Sequence, residues 1–326
     1  MLVLITGATG KVGRNLIAKA LADARHPELR IRALLHNRTL PLSDRISTLQ
    51  GSIASREVVR EAMQGVTHVV HLATCKETPD DVMDVAVKGL FWLLEEMRQS
   101  PTARQFILIG GDACVGHFHV RHGIPVTEQT PHHAYPGCYA LSKALEEAML
   151  TQYYRQYNLN GCCLRAPWIM EKDDFRNTLS FGDDVFGAPV WKDLVPAGDA
   201  ERYRAEETVP LLHDCDGRPL KRNFVHVSDL TDAILCALDN PRAHQQLFNV
   251  CMNQPVDYGE VAAYLARTRG LGAVRIDSEF HSNWLDNSKA RFLLGWEPAY
   301  DLPKLIEDAW NYQRSPDDPR KVWYPG

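Results

Sequence analysis

The chain of 326 residues has no apolar run near the roughly 18 residues that a membrane-spanning helix needs. Its eight cysteines (75, 114, 138, 162, 163, 215, 236 and 251) include no CxxC pair and no metal-ligand spacing. Several lie in apolar runs such as Cys162-Cys163-Leu164, so they read as reduced core residues, and no metal site is expected. There is no excess of positive charge. The formal net charge is −5, which argues against nucleic acid or an anionic membrane as partner. The first strand begins at Leu2, leaving no room before it for a signal peptide, so a cytoplasmic protein is expected. Internal repeats and low-complexity tracts are absent. What remains is an ordinary globular composition, 45% hydrophobic and 24% charged, long enough for one large or two unequal domains.

Two motifs stand out against this background. Leu2–Thr6 is an apolar run that leads into Gly7-Ala-Thr9-Gly10-Lys11-Val12-Gly13. Three glycines spaced three apart, between a strand and a helix, make a tight turn whose free N–H groups can hold a pyrophosphate. Further on, Tyr139 and Lys143 stand four residues apart in a helical pattern, hence on one face. A phenol near its free pKa of about 10 is a poor base at neutral pH. A neighbouring ammonium favours the phenolate, which can then take a proton from an alcohol as hydride leaves the carbon. The two motifs together point to nicotinamide chemistry at a carbinol carbon, with Tyr139 and Lys143 as catalytic residues. The run after the second strand, Leu35-His36-Asn37-Arg38, contains no acid. A carboxylate there would bind the ribose hydroxyls of NAD. Arg38, helped by Lys11 or His36, suits the 2′-phosphate of NADP instead, with NAD as the alternative.

Strand and helix signals alternate through the first half. Strands are expected at Leu2–Thr6, Ile31–Leu35, His68–Leu72, Gln105–Ile109 and Gly161–Leu164. Helices are expected at Lys11–Asp23, Glu57–Met63, Asp81–Arg98 and Gly137–Tyr157. Continuous apolar strands between helices imply a parallel sheet covered on both faces, a doubly wound Rossmann-type α/β fold. The pattern breaks after Arg165, and 171–221 reads as a functional insertion with mixed charge. Order returns with a strand at Asn223–Val227, a helix at Ser228–Leu238 and a strand at Leu247–Cys251, followed by helices at Asp257–Arg267, Asn287–Leu294 and Leu302–Tyr312. The expected organisation is a dinucleotide-binding domain at 1–165, to which 222–250 returns, and a smaller substrate-binding region built from 166–221 and 251–326.

The sequence resembles the extended short-chain dehydrogenase/reductase family, also called the NAD-dependent epimerase/dehydratase family. The resemblance rests on Thr6–Gly13, Gly51-Ser52-Ile53, His71-Leu72-Ala73, Tyr139–Lys143, Leu164–Pro167, Arg222–Asp229, Phe248–Val250 and Ser288-Lys-Ala290 through Pro298. It implies that Ser52, Ile53, Leu72, Ala73 and Thr74 line the cofactor, and that Pro167 and Trp168 flank the nicotinamide. It also implies a substrate cleft between the main domain and the C-terminal part. Four departures accompany it. Ser52 replaces the usual Asp that contacts adenine. Ala86 replaces a usual Asn. The segment Gly110–Gly116 lacks the Ser or Thr that hydrogen-bonds the reacting oxygen, leaving Asp112 as the nearest polar substitute, with Cys114 beside it as a substrate contact. The insertion 171–221 is the fourth. Trp168 and Trp191 can stack on a sugar ring, and Arg222 matches a phosphate-binding arginine of nucleotide-sugar relatives.

The leading expectation is an enzyme that oxidises, reduces or epimerises a secondary alcohol of a sugar or sugar-derived acid. A nucleotide-sugar 4-epimerase or dehydratase, or a dinucleotide-sensing protein without catalysis, are the alternatives. Apolar excess on Asp81–Arg98 and Gly137–Tyr157 predicts a homodimer through those helices.

Overall fold

In the computed structural model Leu2–Thr6 is the central strand β1, hydrogen-bonded in parallel to β2 (Arg30–Leu35) on one side and β4 (His68–His71) on the other. The description covers all residues except 42, 124, 183–188, 197, 319 and 321–326. β3 (Ile46–Gln50) extends the sheet beyond β2, and β5 (Gln105–Gly111), β6 (Gly161–Ala166) and the strand Gln246–Asn249 extend it beyond β4. All seven strands run parallel. The order reverses between β1 and β4, which opens a crevice at their carboxyl ends. This is the expected doubly wound sheet.

Alternation along each strand shows why these strands read as continuous apolar runs. Val3 and Ile5 point into one core, together with Ile107, Ile109, Cys162 and Leu164; helix α1 (Lys11–Ala22) and the helix Val227–Ala237 cover it. Leu4, Phe106, Leu108 and Cys163 point into the opposite core, under α2 (Arg56–Ala62), α4 (Gly89–Gln99) and α5 (Cys138–Tyr157). Both faces are buried, so successive residues in the middle of these strands are mostly apolar. Cys162 and Cys163 thereby belong to opposite cores, and all eight cysteines are free.

Three features differ from the sequence expectation. β3 was not foreseen, because its sequence ISTLQ is half polar and lies on a sheet edge. The expected helix at 81–98 is a short α3 (Pro79–Val82), a π-helical stretch at Met83–Lys88, then α4. The insertion 171–221 carries short helices at Asp174–Thr178 and Asp199–Ala205 and a strand, Val209–His213, that pairs in parallel with Ala273–Asp277. A third core of Phe175, Trp191, Leu212, Phe224, Tyr258 and Ile306 holds this region together with the C-terminal helices. Phe224–His226 pairs with Trp168–Met170 outside the main sheet, whereas the helix that follows packs on α1. No helix among the described residues is long and apolar enough to cross a membrane.

Candidate active site

The glycine turn is sterically closed to larger residues. Gly7 has φ +66°, and a Cβ there would lie 2.8 Å from the backbone N of Ala73. A Cβ on Gly13 would lie 2.5 Å from the carbonyl oxygen of Gly7, so α1 can rest on the turn only because that position is bare. The Thr6 hydroxyl bonds His71 Nδ1 at 2.7 Å and accepts from the amides of Leu72 and Ala73, which ties the ends of β1 and β4 together at the crevice. Gly10 is the N-cap of α1, and its lack of a side chain leaves the first-turn amides with no side-chain cap. Such an end suits the pyrophosphate of a dinucleotide, held by amides in Thr9–Gly13. Leu72, Ala73 and Thr74 follow β4 at the mouth of the crevice, partly exposed, and Ser52 and Ile53 follow β3.

Lys11, expected to help Arg38, is engaged within the protein. Its ammonium donates to the Ile169 carbonyl at 2.8 Å and pairs with Asp174 at 2.5 Å. Arg38, exposed with His36 and Asn37, lines a cavity of about 250 Å³ that Lys11, Arg14, Lys172 and Arg314 share with the acids Glu171, Asp174 and Asp318.

Tyr139 and Lys143 lie in the first turns of α5 and face the end of β5. An ideal Cβ on Gly111 would stand 3.5 Å from the Tyr139 hydroxyl and 3.6 Å from the Lys143 stem, so both side chains rest over that bare backbone. Lys143 is 4% exposed, and its ammonium lies 5.6 Å from the Tyr139 ring centre. It is also bonded to both oxygens of Glu146, at 3.2 and 2.8 Å. Burial and the Glu146 and Asp112 carboxylates push the Tyr139 phenol well above its ordinary value. At rest Tyr139 is therefore a proton donor. A second lysine faces it. Glu77 accepts from the Cys138 amide at the start of α5, which pins the loop so that the Lys76 ammonium sits 4.8 Å over the Tyr139 ring. Burial, then Lys143 and Lys11, push Lys76 down to about 8.

Asp112 directly follows β5 and starts a 3₁₀ turn (Asp112–Val115). Its Oδ2 accepts from His117 Nδ1 at 2.6 Å. His117 Nε2 faces the Arg222 guanidinium at 3.0 and 2.7 Å. A guanidinium only donates, so Nε2 accepts, Nδ1 carries the proton, and His117 donates to Asp112. Two successive left-handed residues, Gly116 at φ +91° and His117 at φ +49°, turn the imidazole back beneath Asp112.

A family model for the NAD dependent epimerase/dehydratase family matches residues 3–171. The chain belongs to that family. It is accordingly a nicotinamide-dependent enzyme of the epimerase/dehydratase type. Over 96% of its length it is 25% identical to a UDP-glucose 4-epimerase of Erwinia amylovora, 98% of which is covered. A similar match, 26% identical over 97% of this chain and 99% of the relative, is a UDP-glucose 4-epimerase of Mycolicibacterium smegmatis. The fold matches a short-chain dehydrogenase/reductase superfamily protein of Agrobacterium tumefaciens with bound NAD, at TM-score 0.78 and 22% identity over 95% and 96% of the two chains. It also matches the UDP-glucose 4-epimerase of Thermotoga maritima with UDP-glucose, at 0.73 and 19% over 96% and 98%.

Within this family frame three expected substrate contacts lie elsewhere. Cys114 is fully buried among Val115, Val126, Cys251 and Leu285, and its thiol donates to Glu147. Trp191 is 1% exposed, with its indole N–H on the Thr178 carbonyl, so it is a core residue. Arg222 is 1% exposed and its guanidinium lies 3.3 Å from the centre of the Trp168 ring. Pro167 is buried and Trp168 half-buried at the end of β6. Glu147 is bonded by Arg165 at 3.0 and 2.7 Å and by His132 at 2.8 Å, so the Cys114–His132–Glu147 grouping is already satisfied by hydrogen bonds. Sequence reasoning missed Lys76, Glu146 and His117. The first two sit next to residues that motifs picked out. His117 carries no motif signal.

Proposed function

We propose that the enzyme oxidises or epimerises a secondary alcohol of a sugar or sugar-derived acid, with Tyr139 as the acid–base group. The observation that carries this reading is the Tyr139 hydroxyl resting with Lys143 over Gly111, at the same carboxyl end of the sheet as the glycine turn. When bound, the nicotinamide supplies the hydride acceptor. Tyr139 must lose its proton for oxidation and returns it for reduction. The ammonium groups of Lys143 and Lys76 favour the phenolate and offset the adjacent carboxylates. Asp112 stands in for the family's hydroxyl and hydrogen-bonds the substrate through the oxygen that His117 leaves free. Asp112 Oδ1 has no partner among the described residues. NADP is the preferred cofactor in this reading, since no acid follows β2 and Arg38 is exposed at its end, although Lys11 is engaged by Asp174. The names of the relatives support sugar epimerisation over simple alcohol oxidation.

Tyr139→Phe tests the assignment. Cofactor affinity is expected to stay within about threefold, and turnover to fall by on the order of 10²-fold or more. Unchanged turnover would move the base elsewhere.

A further inference from the structure

A second phenol stands beside Tyr139. Tyr135 packs with Ala113, Ala140 and Tyr139, where two alanines leave room for two aromatic rings. Its ring also meets that of His119, with 5.0 Å between centres. The loop that carries it is tied on both sides. The His133 amide donates to the Cys114 carbonyl at 2.9 Å, and the Cys138 amide donates to Glu77 at 3.2 Å. Tyr135 is 9% exposed, yet its hydroxyl makes no hydrogen bond among the described residues. That oxygen is not sealed in the interior, as the Tyr154 oxygen is. Its partner therefore comes from outside the chain, water at rest and a ligand when one is bound. Burial first, and then the Tyr139 and Asp112 oxygens, push the Tyr135 phenol well above its ordinary value, which also sets its hydroxyl within the field of both. The cations are shared unequally between the two phenols. The Lys143 and Lys76 ammonium groups lie 5.6 and 4.8 Å from the centre of the Tyr139 ring. Among the described residues no cation lies over the Tyr135 ring, and the Arg222 charge favours its phenolate less than Tyr139 and Asp112 oppose it. Tyr139 is thus the phenol placed to give up a proton, and Tyr135 the phenol placed to keep one.

We propose that Tyr135 is a further catalytic residue, whose hydroxyl donates a hydrogen bond to the reacting oxygen of the substrate beside Tyr139. The inference rests on the proposed reading of Tyr139 as the acid–base group. In oxidation the substrate C–H bond breaks and its hydride passes to the oxidised nicotinamide. The O–H proton passes to the Tyr139 phenolate, and the C–O bond becomes a carbonyl. Negative charge grows on the oxygen as its proton leaves, and a donor that keeps its own proton stabilises that charge. Tyr135 forms and breaks no covalent bond. Asp112, a carboxylate that already accepts from His117, offers the substrate an acceptor. It suits a neighbouring hydroxyl, whereas the oxygen that has lost its proton needs a donor.

Tyr135→Phe keeps the ring in its packing and removes the hydroxyl alone. The probes are UDP-glucose, glucose and glucuronate, given to the cofactor-loaded protein. Turnover is followed by absorbance of the reduced nicotinamide and by proton NMR of the epimers, in wild type, Tyr135→Phe and Tyr139→Phe. In Tyr135→Phe, kcat is expected to fall by about 10²-fold, with KM and cofactor affinity within about threefold and the rising limb of the pH–rate profile in place. A merely structural role would not lower kcat while leaving KM and that limb intact. A kcat within about threefold of wild type, when Tyr139→Phe is impaired, overturns the inference and leaves the reading of Tyr139 standing. Loss of the pH limb in Tyr135→Phe, with Tyr139→Phe still active, overturns both, because Tyr135 is then the base. Tyrosine ¹³C NMR of the cofactor-free protein gives a second answer that needs no substrate. Tyr135 is expected to stay protonated at every pH at which Tyr139 does, and its ionisation ahead of Tyr139 overturns the inference.

Discussion

Glu146→Gln isolates the electrostatics of Tyr139, the proposed acid–base group. Glu146 is fully buried on the third residue after Lys143, and its two oxygens face that ammonium at 3.2 and 2.8 Å. The ammonium is 5.6 Å from the Tyr139 ring centre, so the carboxylate stands within roughly 8 Å of that ring centre. A unit charge at that distance, with an effective dielectric of about 20, contributes about 2 kcal/mol, or about 1.5 pKa units. The sign is definite. Both burial and Glu146 oppose the phenolate, so removing this negative charge and leaving the Lys143 cation uncompensated must favour it. Glutamine keeps the size of the side chain and one acceptor for Lys143. For alcohol oxidation, kcat/KM rises as Tyr139 loses its proton. The rising limb of the pH–rate profile is therefore expected to move to lower pH by about 1 to 1.5 units. A direct titration of the tyrosine by ¹³C NMR in the cofactor-free protein, with Tyr139→Phe to assign the signal, should show the same displacement. A profile and a titration that both stay within about 0.3 units of wild type would refute the charge argument.

Arg38→Ala is expected to weaken NADP binding by about 10- to 100-fold in calorimetry, the worth of one bidentate charge-assisted contact, and to leave NAD unchanged. Equal losses for both would show that Arg38 does not meet the 2′-phosphate. Glu147 is opposed by burial, but the bonds from His132 and Arg165 overcome that and hold its carboxyl at about 2. Its contribution to stability should therefore be complete above about pH 4.5 and fade as pH falls towards 2. Glu147→Gln should lower stability by about 3–5 kcal/mol, a melting decrease on the order of 5–10 °C, because Arg165 stays buried without its counter-charge. Calorimetric melting across that pH range checks both. Met83, Phe91, Leu141 and Tyr157 remain exposed on the helical run Pro79–Gln99 and on α5. Light scattering at micromolar concentration is expected to give a dimer mass, and Phe91→Glu with Leu141→Glu should convert it to monomer.

The parts of the fold that sequence reading recovered are those with local causes. A Gly at φ +66° and the contact of α1 with the turn fix the first motif, and the spacing of four on one helix fixes the second. The strands buried on both faces announce themselves as apolar runs. β3 does not, because an edge strand needs apolar residues on only part of one face. The π-helical stretch at Met83–Lys88 has no composition signal either, since an extra residue in a helical turn leaves the apolar spacing nearly unchanged.

Cys114 shows why proximity in sequence misleads at the site. In the 3₁₀ turn Asp112–Val115, successive side chains rotate by about 120°, so residues two apart point in different directions. Asp112 turns to His117, whereas Cys114 enters the core and meets Glu147. Arg222 shows the opposite difficulty. Its neighbours Phe118, His117, Trp168 and Tyr258 come from segments far apart in the chain, and no local pattern marks that they converge. A carboxylate at 112 changes what its surroundings must supply. A hydroxyl there can orient itself, whereas a half-enclosed carboxylate needs a fixed donor. His117 provides one with its proton on Nδ1, the tautomer that both the accepting Asp112 carboxylate and the Arg222 guanidinium donating to Nε2 select. Asp112, His117 and Arg222 are therefore one hydrogen-bonded unit, whose ends lie 110 positions apart in the chain.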